Sequence, residues 1–326
     1  MNTSQSPFGW RACVQLVVSL EKRNGLSSDL PMTNDLHSNC RVCGDRKVRY
    51  YYTSQRVGVS VYKCLACGST YVGDQFTDNE LQAVYENSAS FYDLELSWEY
   101  GGHERRLQEI ARFFPLSTGK KPHLLDVGCG TGKFLALAAQ KGYEVYGTEL
   151  AELPIRLAKI RYGLDISQTN LSDDKRDGFY DVITMWGLLE HVQAPGKLIS
   201  EVVRLLSSGG VVGILTPVSG LYDKLAYLVY RFSARRITNL LDHRNNRAHL
   251  SILSERALMK LAESQRLKIL LAQRVTELGL PIEYYLRNIG IRNAFVVYVL
   301  AAGVRFSGLL SLFFRNNILI YAQKPA

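Results

Sequence analysis

The sequence predicts an α/β protein: a Rossmann-like parallel sheet with a small four-cysteine module on its N-terminal side. Three observations predict it. A strand–loop–helix–strand run, "HLLDVGCGTGKFLALAAQKGYEVYGTEL", opens at His123. Two copies of Cys-x-x-Cys-Gly, "CRVCG" and "CLACG", precede it. Strand-like and helix-like apolar segments then alternate toward the C-terminus.

The chain has 326 residues, 47 % hydrophobic and 21 % charged, which leaves room for one large domain and a small module. The net charge is +9. A basic balance suits nucleic acid, an anionic membrane surface or an acidic small molecule, and does not choose among them. "VQLVVSL" is short and no small-residue cleavage site follows it, so no secretory signal is expected. Residues 1–35 are expected to form a poorly ordered extension, with a short amphipathic helix at Arg11 to Lys22 as the alternative. Met32 offers a second start within it.

Residues 36–75 hold the cysteine pairs Cys40/Cys43 and Cys64/Cys67, with twenty residues between them. Tight turns of this kind offer two thiolates each to one metal, the spacing of a four-cysteine zinc site. Gly44 and Gly68 follow the pairs, where such a turn often needs positive φ. "KVRYYYTS" and "VGVSVYK" are rich in β-branched and aromatic residues and read as a hairpin. The whole reads as a zinc ribbon, and four thiolates leave no open position, so the metal is structural. Disulfides or a redox pair fit less well, because nothing marks the chain as secreted and neither pair opens a helix in a βαβ unit.

Residues 76–121 form a helical linker or cap. Charged and apolar residues alternate at helical spacing, with a break at Gly101-Gly102. Tyr85, Phe91, Tyr92, Trp98 and Tyr100 concentrate here, as packing or as part of a pocket wall.

In the core, 122–326, "HLLDV" is a short apolar strand and "KFLALAAQ" a helix closed by Gly142. "YEVYGTEL" is the next strand, and "AELPIRLAKIRYG" the next helix. Glu149 stands 21 residues after Gly128. Glycines let a nucleoside approach the backbone, and an acid so placed accepts from ribose hydroxyls. The dinucleotide pattern G-x-G-x-x-G would need a glycine where Lys133 stands, so that cofactor class fits poorly.

The stretch Asp126 to Gly132, (D/E)-x-G-x-G-x-G, resembles motif I of the class I S-adenosylmethionine-dependent methyltransferases. The resemblance continues in order from about Pro122 to Lys324. "DISQTNL" resembles the third strand and the adenine-contacting turn, with Asn170 where an Asp is common. "FYDVITMWGLLEHVQAP" resembles motif IV of the ubiquinone-biosynthesis O-methyltransferase branch. "LISEVVRLLSSGGVVGILTP" resembles the next helix and fifth strand, "AHLSILSERALMKLAESQRLKIL" the last helix and sixth strand, and "NNILIYAQKPA" the seventh. A zinc ribbon ahead of this domain also resembles methyltransferases of cell-surface sugar and lipid pathways, and one group of ribosomal RNA guanine methyltransferases.

The resemblance implies a seven-stranded methyltransferase sheet. It implies S-adenosylmethionine held by Asp126, Gly128, Gly130, Gly132 and Glu149, with Cys129, Leu150, Asn170, Leu171, Met185 and Trp186 around it. Cys129 is a small spacer with no nucleophilic role. The ubiquinone branch carries a further metal-linked glutamate where Gly187 stands, so its metal is not carried over to Glu190 and His191.

If the acceptor is a hydroxyl or an acidic C–H, a base must take its proton. His191 is the first candidate, with an anchoring histidine as the alternative. Glu190 orients it. His249 resembles a position facing the acceptor, with a satisfied helix-start histidine as the alternative, and His243 lies nearby in "DHRNNRAHL". Two apolar insertions, 219–241 and 280–314, exceed what the fold needs. Arg305 interrupts the second, and the strands on either side share one sheet, so a single membrane crossing is excluded. Both are expected either as a lid or as a basic-rimmed mouth around Arg231, Arg235 and Arg236 at the cytoplasmic membrane face.

The reading is therefore a cytoplasmic methyltransferase for a small-molecule acceptor, a saccharide or lipid-linked intermediate. One alternative is a ribosomal or transfer RNA enzyme, against which the core shows no compact basic patch to track a backbone. Another is a non-catalytic binding module, against which the intact motif I argues.

Overall fold

The computed structural model describes residues 39–54, 58–86, 92, 102–115, 121–242, 244–245, 248–276, 282–288, 291–306 and 315–326. The expected extension at 1–35, Phe91, Trp98, Tyr100 and His243 lie outside the described residues, as do the side chains of Tyr85 and Arg305 and part of the second insertion.

Near the N-terminal side, β1 (Val48–Thr53) and β2 (Ser60–Cys64) form the expected hairpin, and β3 (Thr70–Val72) extends it. The fourth strand of this antiparallel sheet is distant in sequence. It is β8 (Ser251–Ile252), paired as Thr70↔Ile252 and Tyr71↔Ser251. The ribbon and the core are thus joined by a ladder. The linker supplies α1 (Asp78–Glu86) and α2 (Gly102–Phe113), on either side of the expected break.

The main sheet comprises β4 (His123–Val127), β5 (Glu144–Thr148), β6 (Tyr180–Trp186), β7 (Leu206–Pro217), β9 (Lys268–Val275) and β10 (Asn317–Gln323). Their order is β5-β4-β6-β7-β10-β9. The first four run parallel, and β10 is antiparallel to both neighbours. The third of the seven expected strands, at "DISQTNL", is reduced to a single parallel bridge, Thr148↔Ser167, which leaves six strands in the sheet. Residues 167–170 are polar and exposed. They have no apolar face to bury, so only the local backbone bonds to Gly147 and Glu149 survive.

Parallel strands buried on both faces need near-continuous apolar runs. β6 supplies one, with Val182, Ile183 and Met185 fully buried. Alternate residues feed opposite faces. Leu125 and Ile183 join the cluster that runs into the cysteine module through Tyr71 and Leu253. Leu124 and Val182 join the cluster capped by Leu107 and Ile110 of α2. The flanking helices are α3 (Lys133–Gln140), α4 (Glu152–Tyr162), α5 (Pro195–Leu205) and α8 (Glu255–Ser264).

The first insertion forms α6 (Leu221–Phe232) and α7 (Asn239–Asp242). The inner face of α6 packs on the ribbon hairpin, where Tyr51 and Tyr227 stack at 4.2 Å between centroids. Its outer face leaves Leu225, Leu228 and Phe232 exposed. The second insertion forms α9 (Ile282–Asn288) and α10 (Ala294–Phe306), which share a small cluster of Ile282, Leu286, Val297 and Ala301. Phe295 and Tyr298 on α10 are exposed. Among the described residues no helix is long and apolar enough to cross a membrane.

Gly147 on β5 marks the tightest point beneath the glycine loop. A Cβ there would lie 2.6 Å from Leu135 Cδ1, 2.7 Å from Ile166 Cδ1 and 2.9 Å from Cys129 Sγ. Gly147→Ala is expected to cost about 1–3 kcal/mol through overpacking. The check is a lower urea midpoint at unchanged m-value. An unchanged midpoint would mean that the three neighbours yield freely.

Candidate active site

The loop after β4 is built on backbone freedom. Gly128, Gly130 and Gly132 all have positive φ, at +68°, +53° and +74°, the region that glycine alone enters readily. A Cβ on Gly128 would also sit 2.8 Å from Leu188 Cδ1. The N–H groups of Gly128 and Cys129 both donate to Thr148 O, at 2.8 and 3.0 Å. The loop is therefore tied to the end of β5.

Glu149 completes that tie. Its Oε2 accepts from Gly130 N at 3.0 Å, and its Oε1 accepts from Leu150 N at 2.8 Å and Ala151 N at 3.1 Å. Asp126 is buried and accepts from the Thr184 hydroxyl at 2.6 Å, joining β4 to β6. Cys129 is buried with its sulfur toward Gly147, in keeping with a spacer. Thr131 Oγ1 is buried with no hydrogen-bond partner among the described residues. Leu150 and Asn170 are exposed at the rim, and Leu171 is buried in a 3-10 turn. Met185 is buried on the ribbon side of the sheet, while Trp186 faces α2.

β6 ends in a 3-10 turn, Leu189–His191, where the catalytic candidates meet. His191 Nδ1 lies 2.9 Å from Ala248 O. A carbonyl only accepts, so Nδ1 carries a proton, and in the neutral ring the lone pair is then on Nε2. That Nε2 is 3.8 Å from Glu190 Oε1. Glu190 is buried and accepts from the Thr216 hydroxyl at 2.9 Å. Burial pushes its carboxyl above the usual carboxylate range, against the pull of His191 and Arg244. The His249 ring lies edge-on to His191 at 4.9 Å. Ligand atoms of Glu190, His191 and His249 fall within 4.8 Å of one another. The corner thus gathers three donors where the sequence counted two.

The linker contributes residues that sequence reasoning missed. Arg106 of α2 is buried, with its guanidinium 4.6 Å from the centroid of the Trp186 ring. His103 stands one turn earlier, 5.6 Å between centroids from Phe134 at the start of α3. Burial first, then Arg106 and Lys133, pushes His103 down to about 3. Glu86 at the end of α1 accepts from Glu152 N and Leu153 N at the start of α4, where negative charge is favoured. The i, i+3 spacing of His103 and Arg106 in "GGHERRLQEI" was the available signal.

The four ribbon cysteines converge. Cys40 and Cys67 sulfurs are 3.8 Å apart, Cys43 and Cys64 sulfurs 3.6 Å, and all four lie within 4.8 Å of one another. A disulfide needs about 2.05 Å. Thiolates at about 2.3 Å from one tetrahedral ion stand about 3.8 Å apart. Gly44 and Gly68 take the positive φ expected of them.

A family model described as a methyltransferase domain matches residues 98–271. Ubiquinone biosynthesis O-methyltransferase of Marinobacter nauticus is 36 % identical over 102 residues, 28 % of this chain and 42 % of that protein. The enzyme of the same name from Erwinia tasmaniensis is 32 % identical over 114 residues, 33 % of this chain and 46 % of that protein. The chain thus spans less than half the length of these relatives. Among solved structures, Haemonchus contortus phosphoethanolamine N-methyltransferase 2, in complex with phosphomonomethylethanolamine and S-adenosylhomocysteine, superposes with a TM-score of 0.52 at 16 % identity, over 77 % of this chain and 61 % of that one. The [4+2]-cyclase SpnF superposes at 0.50 and 17 % identity, over 77 % and 97 %. These two likenesses concern the fold. The family match covers more than half of the sequence and includes the glycine loop, Glu149 and the His191 turn, so the chain belongs to the methyltransferase domain family.

Proposed function

We propose that the protein is an S-adenosylmethionine-dependent methyltransferase acting on a small-molecule acceptor. The observation that carries this reading is the adjacency of two devices at one end of the sheet. One is the glycine loop clasped by Glu149. The other is the Glu190–His191–His249 corner at the end of β6.

S-adenosylmethionine supplies an electrophilic methyl group on a sulfonium. The bare backbone at Gly128, Gly130 and Gly132 admits the adenosyl and methionine portions, and Glu149 accepts from the ribose hydroxyls. Asn170 and Leu171 border the adenine, with Leu150 and Trp186 beside them, whereas Met185 is fully buried on the ribbon side of the sheet and supports the site from within the core. Asp126 keeps β4 and β6 in register beneath the loop. Holding an acceptor on the axis of the breaking bond contributes roughly 7–11 kcal/mol. His191 Nε2 takes the proton of an acceptor hydroxyl, and the neighbouring Glu190 carboxylate steadies the imidazolium. His249 faces the acceptor from the other side. The donor chemistry of the ribbon fits one structural zinc ion on Cys40, Cys43, Cys64 and Cys67.

The finer reading is a saccharide or lipid-linked acceptor met at the cytoplasmic face of a membrane. The exposed apolar face of α6, flanked by exposed Arg231, Arg235 and Arg236, supports it.

Calorimetry and turnover separate the two devices. Gly130→Val and Glu149→Ala are expected to weaken S-adenosylmethionine binding, the latter by about 1–3 kcal/mol. His191→Ala is expected to leave cofactor affinity unchanged and to slow turnover by about 10²-fold or more. Wild-type affinity in both loop variants would overturn the loop assignment, and wild-type turnover in His191→Ala would reduce that residue to an anchor. Elemental analysis is expected to find about one zinc per chain by the four-ligand rule, lost in Cys64→Ser. Metal-free reduced protein would contradict the ribbon assignment. The protein is expected to co-sediment with anionic liposomes and to release as salt rises. No sedimentation at low salt would remove the membrane reading.

A further inference from the structure

A second recess lies where the ribbon meets the core. Its walls come from β2 (Lys63), the start of α6 (Gly220, Asp223, Lys224) and the segment before β8 (Arg244, Asn245). Its volume is about 70 Å³, against the roughly 10–15 Å³ that one water needs. A group the size of a phosphate fits.

The charges lining this recess do not balance. Asp223 is the only acid among the described residues that line it, and both its oxygens are engaged. Oδ1 accepts from Arg244 Nε at 2.8 Å, and Oδ2 accepts from Gly220 N at 2.7 Å. Arg244 and Asp223 therefore cancel, and the charges of Lys63 and Lys224 remain. Neither lysine forms an ion pair among the described residues. Lys63 lies against the Tyr51 ring, 5.3 Å from its centroid. Burial, followed by the fields of Arg49 and Lys224, pushes the Lys63 ammonium below its ordinary range, against the partial support of Asp223. Two cations lining one recess, Lys63 half-buried and Lys224 exposed, suit a ligand that brings negative charge.

A neutral donor points the same way. Asn245 is 3 % exposed. Its Oδ1 accepts from the Thr70 hydroxyl at 2.9 Å. Its Nδ2 is buried with no hydrogen-bond partner among the described residues. A buried amide donor left unpaired is costly, and here it lines a recess that also holds two unpaired ammonium groups.

Two chain segments connect this recess to the His191 corner. Gly220 lies four residues beyond Thr216, which holds Glu190. Arg244 donates to Val218 O at 2.8 Å, and its charge acts on Glu190. Asn245 lies three residues before Ala248, whose carbonyl orients His191.

We propose that the ribbon–core recess anchors a phosphate or diphosphate group of the methyl acceptor, with Lys63, Lys224 and Asn245 Nδ2 as its donors. The proposal rests on the methyltransferase reading, and it names the chemical class of the acceptor: a phosphorylated small molecule. Lysine serves such groups as a point charge, and the amide adds a directed hydrogen bond. With the phosphate seated between ribbon and core, the anchored group lies on the same two chain segments that carry Thr216 and Ala248 at the His191 corner. Exposed Leu221 and Leu225 beside Lys224 would flank a lipid tail, whereas a sugar or nucleoside carrier would leave them uncovered.

The test is titration calorimetry of the full chain with inorganic pyrophosphate, uridine diphosphate and farnesyl diphosphate. Wild-type protein is expected to bind pyrophosphate. The Lys63→Met/Lys224→Met double variant is expected to bind at least tenfold more weakly, with S-adenosylmethionine affinity unchanged. Asn245→Ala is expected to weaken pyrophosphate binding without altering the salt dependence. Tighter binding of farnesyl diphosphate than pyrophosphate would support the site with a lipid carrier. Tighter binding of uridine diphosphate would support it with a nucleotide carrier. No binding of any of the three by wild-type protein, or equal pyrophosphate affinity in the double variant, would overturn the proposal. Failure of wild-type protein to bind S-adenosylmethionine would sink the methyltransferase reading instead, and the separate titration tells the two failures apart.

Discussion

One carboxylate holds the business end of the sheet together. Glu149 gathers three backbone N–H groups, one from the glycine loop and two from the start of the next connection. Three of the five residues of the loop, Gly128 to Gly132, have no side chain with which to fix its path. Its shape comes from this clasp, from the two bonds onto Thr148 O and from close packing beneath it at Gly147. A carboxylate offers about four acceptor positions. Three are filled, so a hydroxyl-bearing ligand finds one ready and must displace a backbone donor to use a second.

The other half of the site depends on the ribbon. Residues 244–245 and 248–253 form little regular structure, yet they carry Arg244, Asn245, Ala248 and His249. They are held because Ser251 and Ile252 pair with β3, because Ser254 N donates to Ser69 Oγ at 3.1 Å and because Thr70 donates to Asn245. The four-cysteine module therefore does more than cap the N-terminal side of the fold. Through the Ala248 carbonyl it sets the tautomer of His191, and it supplies one wall of the recess beside it.

Features with local determinants were legible in the sequence. The cysteine pairs, the hairpin between them, the β4–loop–α3 unit and Glu149 each follow from spacing within about 30 residues, where periodicity and turn chemistry carry the information. The meeting of His191 with His249 was not legible as geometry, because it is set by a strand pairing between residues 180 positions apart. The apolar stripe of 219–241 was visible, but a stripe does not name its partner, and its inner face turned out to lie on ribbon tyrosines. The third strand was over-read, since a family pattern promised a strand that its own polar residues support only as a bridge. His103 and Arg106 were hidden in an amphipathic helix whose charged residues look solvated until Trp186 and Phe134 are placed against them.

The shared strand also has a history in time. On a ribosome the ribbon emerges early, with β3 paired to β2 on one side only. Its second neighbour, β8, begins about 180 residues after Val72. At roughly 5–20 residues per second, that edge stays open for on the order of 10–35 s. Open edges invite pairing with other chains, and brevity is one way to blunt them. β3 has three residues, Thr70–Val72, and the partner that finally covers it contributes two. An edge this short is a poor template for a stranger, yet sufficient for a segment that the rest of the fold delivers to it.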